Sequence, residues 1–160
     1  MPSKEIVGNT DGVAVADPIS LSDSDSRGEN GCAAVIGRGL RVEVFGDGMV
    51  DISGAASEFV ELAAVVVRGE GRVEAEELVA VEVRSDGGPG VLIRVDESRR
   101  VLVVVGDQEG RVLLAEDLRE VGAMSVGGHQ HIEYDPQFGY LREGSAPLVL
   151  NSPHGGMPRL

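Results

Sequence analysis

In RVEVFGDGMVDISGAASEFVELAAVVVRG, residues 41–69, the apolar period changes once, from two to about 3.6. Arg41 to Phe45 alternates, with Val42 and Val44 on one face and Arg41 and Glu43 on the other, as a half-buried strand does. Asp47-Gly48 is a hairpin signal, and Met49 to Ser53 returns with Val50 and Ile52 inward. Phe59, Leu62, Ala63, Val66 and Val67 then fall on one stripe of a helix starting near Ser57 and stopping before Gly69. Ser53, between strand and helix, is expected as its N-cap.

Working outward, the same two periods recur. Val79–Arg84, Val91–Asp96 and Val101–Val105 are expected strands, the last apolar on both faces and so central. Leu114, Leu118 and Val121 mark a second helix over Leu113–Val121. His129–Tyr134 is a further strand and Leu148–Leu150 a final edge strand. The order ββ-α-βββ-α-β(β), with short connections between neighbours, predicts an α+β two-layer sandwich. Its sheet would be mainly antiparallel, with both helices on one face. Val42, Val44, Val50, Ile52, Val79, Val81, Val83, Ile93, Ile132 and Tyr134 would point inward. Arg41, Glu43, Asp51, Glu82, Arg84, Arg94, His129, His131 and Glu133 would line the wet face. Val101–Val105 would offer that face an apolar stripe, either a contact surface or one covered by a terminal segment.

The 160 residues fit one domain, residues 40–150, with tails at 1–39 and 151–160. Residues 1–39 are an acidic tail rich in Gly, Ser and Asp without apolar periodicity, and their composition predicts disorder. Pro153, Gly155, Gly156 and Pro158 predict a loose C-terminal end. No apolar run reaches the ~18 residues of a membrane-spanning helix, and the N-terminus has no signal-peptide core. Cys32 is the single cysteine, so no internal disulfide is possible and a cytoplasmic location is expected. The formal net charge is −13. From residue 40 on, 11 basic residues face 21 carboxylates, so residues 40–160 themselves carry −10. That charge argues against direct nucleic-acid binding and favours a basic partner.

Chemistry concentrates in GHQHIEYDP, residues 128–136. On a strand, His129, His131 and Glu133 would share one face at spacings of about 7 Å. Two imidazoles and a carboxylate are a facial-triad ligand set, with His154 as a further donor; the alternative is a polar sheet face. No phosphate-binding Gly-rich loop with Lys-Ser/Thr and no Gly-x-Ser-x-Gly elbow occurs. Val105-Gly106-Asp107 lacks the further glycine of a phosphate loop, and Glu109 would repel an anion. Cys32 has no neighbouring histidine to activate it. Glu74, Glu76 and Glu77 read as a solvated face or a loop. The chain therefore offers no catalytic constellation and calls for no cofactor.

The run His129-Gln130-His131-Ile132-Glu133-Tyr134, followed by Pro136, Phe138, Tyr140-Leu141, Ser145 and Pro147-Leu148-Val149, resembles the C-terminal signature of the Immunity protein 32 family. The resemblance extends over roughly residues 41–150, with Asp135 intervening before Pro136. It implies a small protein of actinobacterial type that neutralises a toxin of a polymorphic toxin system, and it brings no catalytic residue. The expected partner is a cognate protein toxin, with a basic nuclease the target that the acidity suits. His129, His131, Glu133, Tyr134 and Tyr140 are the expected partner-binding residues. The competing reading is a metal-binding domain or metal-dependent enzyme built on His129, His131 and Glu133. Neither reading fixes an oligomeric state.

Overall fold

The computed structural model describes residues 39–156; the predicted tail at 1–39 lies outside the described residues except for Gly39, as do residues 157–160. The strands are β1 (Leu40–Val44), β2 (Val50–Ser53), β3 (Gly71–Glu77), β4 (Ala80–Ser85), β5 (Val91–Asp96), β6 (Val101–Gly106), β7 (His129–Ile132) and β8 (Leu148–Asn151). Helix α1 (Ala56–Arg68) lies between β2 and β3, and α2 (Gln108–Gly122) between β6 and β7. The α+β class with two helices is as the periodicity predicts.

The sheet differs from the expected one. Its order is β5-β6-β4-β3-β1-β2-β8-β7. Pairs β1/β2, β3/β4, β5/β6 and β7/β8 are antiparallel, while β1/β3, β2/β8 and β4/β6 are parallel. Parallel neighbours need long connections, and the intervening elements supply them: β2 with α1, the β5 hairpin, and the long path from β2 to β8. The expected order lacked β3, the segment read as an acidic face or loop. Val73 is buried and Ala75 half-buried, while Arg72, Glu74 and Glu76 are exposed, so the strand period is present beneath the charge.

The sheet is curled. Segment 140–146 runs along the outer edge of β5: Val91 N–H donates to the Tyr140 carbonyl (2.8 Å), Arg142 N–H to Val91 (2.7 Å) and Ala146 N–H to Ile93 (2.8 Å). The next residue, Pro147, accepts from Val50 N–H of β2 (2.9 Å), and the chain then enters β8. Adjacent residues thus touch strands far apart in the sheet order, which requires the two ends of the sheet to approach each other.

Helices α1 and α2 pack against each other. Phe59, Leu62, Ala63 and Val66 of α1 and Leu114, Ala115, Leu118 and Val121 of α2 are buried in one core with Val42, Ile52, Val81, Ile93, Ile132 and Leu150 of the sheet. Each large apolar side chain so buried contributes roughly 1.5–3 kcal/mol. Helix α1 starts from Ala55, not Ser53, which is the last residue of β2; the Glu58 carboxylate accepts from Ala55 N–H (2.7 Å). It stops at Gly69, whose φ of 89° is left-handed and whose N–H donates to Val65 O (3.0 Å). A Cβ there would also lie 2.3 Å from Ser85 Oγ, so the close approach excludes other residues.

Helix α2 begins five residues before the predicted Leu113. Asp107 is its N-cap, with Oδ1 accepting from Gly110 N–H (2.8 Å) and Oδ2 from Gly90 N–H (3.2 Å). Its polar first turn hid the start, because no apolar stripe runs through Gln108, Glu109 and Gly110. Arg111 is buried and ties the helices together. Its Nη1 donates to the carbonyls of Val66 (2.9 Å) and Val67 (2.8 Å), and its Nε to Gly106 (3.0 Å). These carbonyls at the C-terminal end of α1 would otherwise be orphaned, and the helix dipole there favours a cation.

Of the expected inward set, Val44, Val79 and Tyr134 are instead exposed. Val44 closes β1 beside the 46–48 turn, Val79 sits at the β3–β4 corner, and Tyr134 lies past the end of β7. Of the expected outward set, Glu82 is buried. The stripe in β6 is not an open contact surface: Val101 and Val103 are buried with Ala80 in a second cluster, against which Val105 packs. Val103 has Glu82 and Arg94 as its direct cross-strand neighbours. The Glu82 carboxylate takes Arg72 Nη1 (2.7 Å), Arg84 Nη2 (3.4 Å) and Arg99 Nη2. The Arg99 contact foremost, then Arg72, holds this carboxyl below the usual range against the opposing pull of burial.

Candidate functional site

Strand β7 sorts its side chains between two faces. Gln130 Nε2 donates to Asp117 Oδ1 of α2 (3.0 Å) and Ile132 enters the core, so His129 and His131 point away from the helices, as expected. Their rings meet edge to face, with centroids 4.9 Å apart and planes at 73°. His129 Nδ1 lies 2.7 Å from the Gly156 carbonyl, which can only accept, so Nδ1 carries the proton. Residues 151–156, assigned by the sequence to the C-terminal tail, supply this contact and others. Asn151 Nδ2 donates to Asp51 Oδ1 (2.6 Å), and buried Ser152 gives its hydroxyl to the Val126 carbonyl (2.7 Å).

The strand ends at Ile132, two residues short of the predicted end, so Glu133 and Tyr134 leave its alternation. Glu133 is exposed. Among the described residues no three His, Cys, Asp or Glu side chains come together to hold a metal, so His129, His131 and Glu133 do not form the ligand set of the competing reading, and His154 does not complete one.

Tyr134 and Tyr140 belong to a different surface from the imidazoles. They line an open groove of about 590 Å³ between the first turns of α2, the turn at Pro89-Gly90 and the loop 134–143. Tyr140 is half-buried, and its hydroxyl donates to Asp117 Oδ2. Desolvation and that carboxylate push its pKa far above the ordinary tyrosine value. Asp117 thus accepts from β7 through one oxygen and from the loop through the other. Leu113 and Glu109 line the groove with Gly110 and the N-cap Asp107. Glu109, Leu113 and Asp117 repeat every four residues, so one stripe of α2 serves this side of the molecule. Asp135 turns its own loop, with Oδ1 accepting from Gln137 (2.8 Å) and Phe138 (3.2 Å) N–H.

Among the described residues, Arg142 is the one basic residue lining the groove. Its Nη atoms are bound to the Asp86 carboxylate, and Nε donates to the Pro89 carbonyl (2.9 Å). The groove keeps Asp107, Glu109, Asp135 and Glu143 as acidic lining, and apolar side chains from Leu113, Tyr134, Pro136 and Tyr140. Gly90 allows the turn to sit here: its φ is 76°, and a Cβ would lie 2.4 Å from the Tyr140 carbonyl oxygen.

The sequence therefore singled out two tyrosines of the groove but not Asp117, Glu109 or Leu113. The four-residue repeat was available as a signal, but only once α2 is extended back to Gln108. The described helices include none long and apolar enough to cross a membrane. Neither the curated proteins nor the solved structures yield a match. Residues 101–153, from β6 through α2 and β7 to β8, match the family model of Immunity protein 32, the family that the residues from His129 onward resemble.

Proposed function

We propose that this chain is an immunity protein that neutralises a cognate bacterial toxin in the cytoplasm by binding it directly, without catalysis. The observation that carries the reading is a coincidence of place. The residues that match the immunity family, 101–153, supply every lining residue of the groove among the described residues except Pro89 and Gly90. The same stretch holds Phe138 and Val126, both largely exposed apolar side chains of the kind that interfaces bury. His129, His131 and Glu133 remain proposed contacts on a second surface, beside Tyr134 and Tyr140 at the groove. A net charge of −13 favours a basic toxin, of which a nuclease is one class, because opposite charge speeds encounter.

Co-expression with the toxic product of the adjacent gene tests this. Rescue of growth and co-purification of the two chains are the expected results. Failure of the intact chain to rescue growth against any neighbouring toxic product would remove the reading.

A further inference from the structure

We propose that the groove receives an arginine side chain carried on an exposed segment of the toxin. The inference rests on the toxin-binding reading and adds what is bound and where. Three features of the groove select this occupant.

The first is charge. Glu109, Asp135 and Glu143 line the groove, and the single arginine among the lining residues, Arg142, is held by Asp86 and by main-chain carbonyls. An entering group therefore meets carboxylates whose charge no groove-lining cation among the described residues balances, and a cation is the complementary partner. The second is the aromatic lining. Tyr140 is anchored through its hydroxyl on Asp117, so its ring is held in place without an entropic cost on binding, and Tyr134 lines the same groove. A planar guanidinium stacks on such rings and still reaches carboxylates with its forked donors, whereas an ammonium offers a point charge. The third is size. About 590 Å³ of open groove admits a side chain together with the segment that carries it.

The test uses the full chain, with a blocked tetra-arginine peptide as probe and tetra-lysine as its comparison. Amide NMR shifts should move and saturate at Glu109, Leu113, Tyr134 and Glu143, with the arginine peptide binding more tightly. The double variant Glu109→Gln/Glu143→Gln should weaken the arginine peptide about tenfold. Glu61→Gln/Glu97→Gln removes equal charge from exposed positions outside the groove and should change affinity by less than about twofold. Shifts centred elsewhere, equal losses in the two double variants, or equal affinity for lysine would each overturn the proposal. The toxin rescue assay separates the two readings. Rescue that survives Glu109→Gln/Glu143→Gln with Tyr134→Ala would sink the groove while leaving immunity intact. A chain that never rescues but binds the arginine peptide at the groove would sink immunity and leave the groove's chemistry standing.

Discussion

The Tyr140 hydroxyl and the Gln130 amide are joined through one carboxylate, with Asp117 accepting from Gln130 on Oδ1 and from Tyr140 on Oδ2. A residue of α2 thereby fixes strand β7 and the groove loop at once. Asp117→Ala removes the acceptor and leaves two half-buried donors without it, so we expect a loss of about 1–3 kcal/mol in urea unfolding. Tyr140→Phe should cost less, and the two substitutions should be non-additive in a double-mutant cycle.

Alkaline titration gives a second reading of the same contact. The folded state raises the Tyr140 pKa above its unfolded value of 10.0. The associated stability is then complete below the unfolded value and is lost as pH rises through the folded one. Ultraviolet titration of the folded chain should show Tyr140 still protonated at the ordinary tyrosine value, and Asp117→Ala should bring its ionisation down. Ionisation of Tyr140 near 10 in the intact protein would contradict the contact.

Arg111 closes the C-terminal end of α1 from another helix. Arg111→Met keeps the buried stem but leaves the carbonyls of Val66 and Val67 without their Arg111 donor, while the Gly106 carbonyl keeps the Asp86 N–H. We expect a loss of about 3 kcal/mol by denaturant melting. Arg111→Lys should fall between the two, because one ammonium cannot reproduce the forked geometry.

Gly122 and Gly128 should respond with different signs to alanine. Gly122 is the last residue of α2, and a Cβ there would lie 2.7 Å from Phe59 Cβ, inside the core. Gly122→Ala should cost about 1–3 kcal/mol despite the better helix propensity. At Gly128 the nearest atom to a Cβ is Met124 Sδ at 3.7 Å, so Gly128→Ala should be neutral or slightly stabilising. Thermal melting of the two variants distinguishes these outcomes.

Acid should destabilise the sheet through identifiable carboxyls. Contacts to Arg99 hold Glu82 below its ordinary 4.5, and hydrogen bonds from Arg142 hold Asp86 below 3.8. Ser98 and the Arg99 amide do the same for Asp96. Depressed carboxyls stabilise above their unfolded values, and that stability is lost as pH falls through the folded ones. Melting temperature should therefore drop below about pH 4.5. Glu82→Gln should flatten this dependence, and an unchanged acid limb would show that the arginine contacts do not couple to folding.

The parts of the fold that could be read in the sequence are those where one side chain type dominates one face. Phe59 to Val67 and the Val50–Ile52 strand were of this kind. Strand β3 was hidden because its wet face carries Arg72, Glu74 and Glu76, and charge masked Val73 and Ala75. The mixed topology was hidden for another reason: neighbouring strands depend on long connections, and no local period records them. At the candidate site, the alternation of β7 correctly put His129 and His131 on the outer face. Extrapolating it past Ile132 put Glu133 with them and Tyr134 inward beside Ile132, whereas the strand has already ended and both side chains are exposed. Asp117 was invisible because its role depends on a loop more than twenty residues away.

Segment 140–147 has a consequence for modularity. The family-matching stretch, residues 101–153, provides both the strap along β5 and the strand that adds to β2, yet β2, β4 and β5 lie outside it. Excised alone, it would carry strand edges with nothing to zip onto. Grafting the groove onto another scaffold would therefore require transplanting the whole of residues 39–156, because the family-matching portion is welded into a framework it does not itself encode.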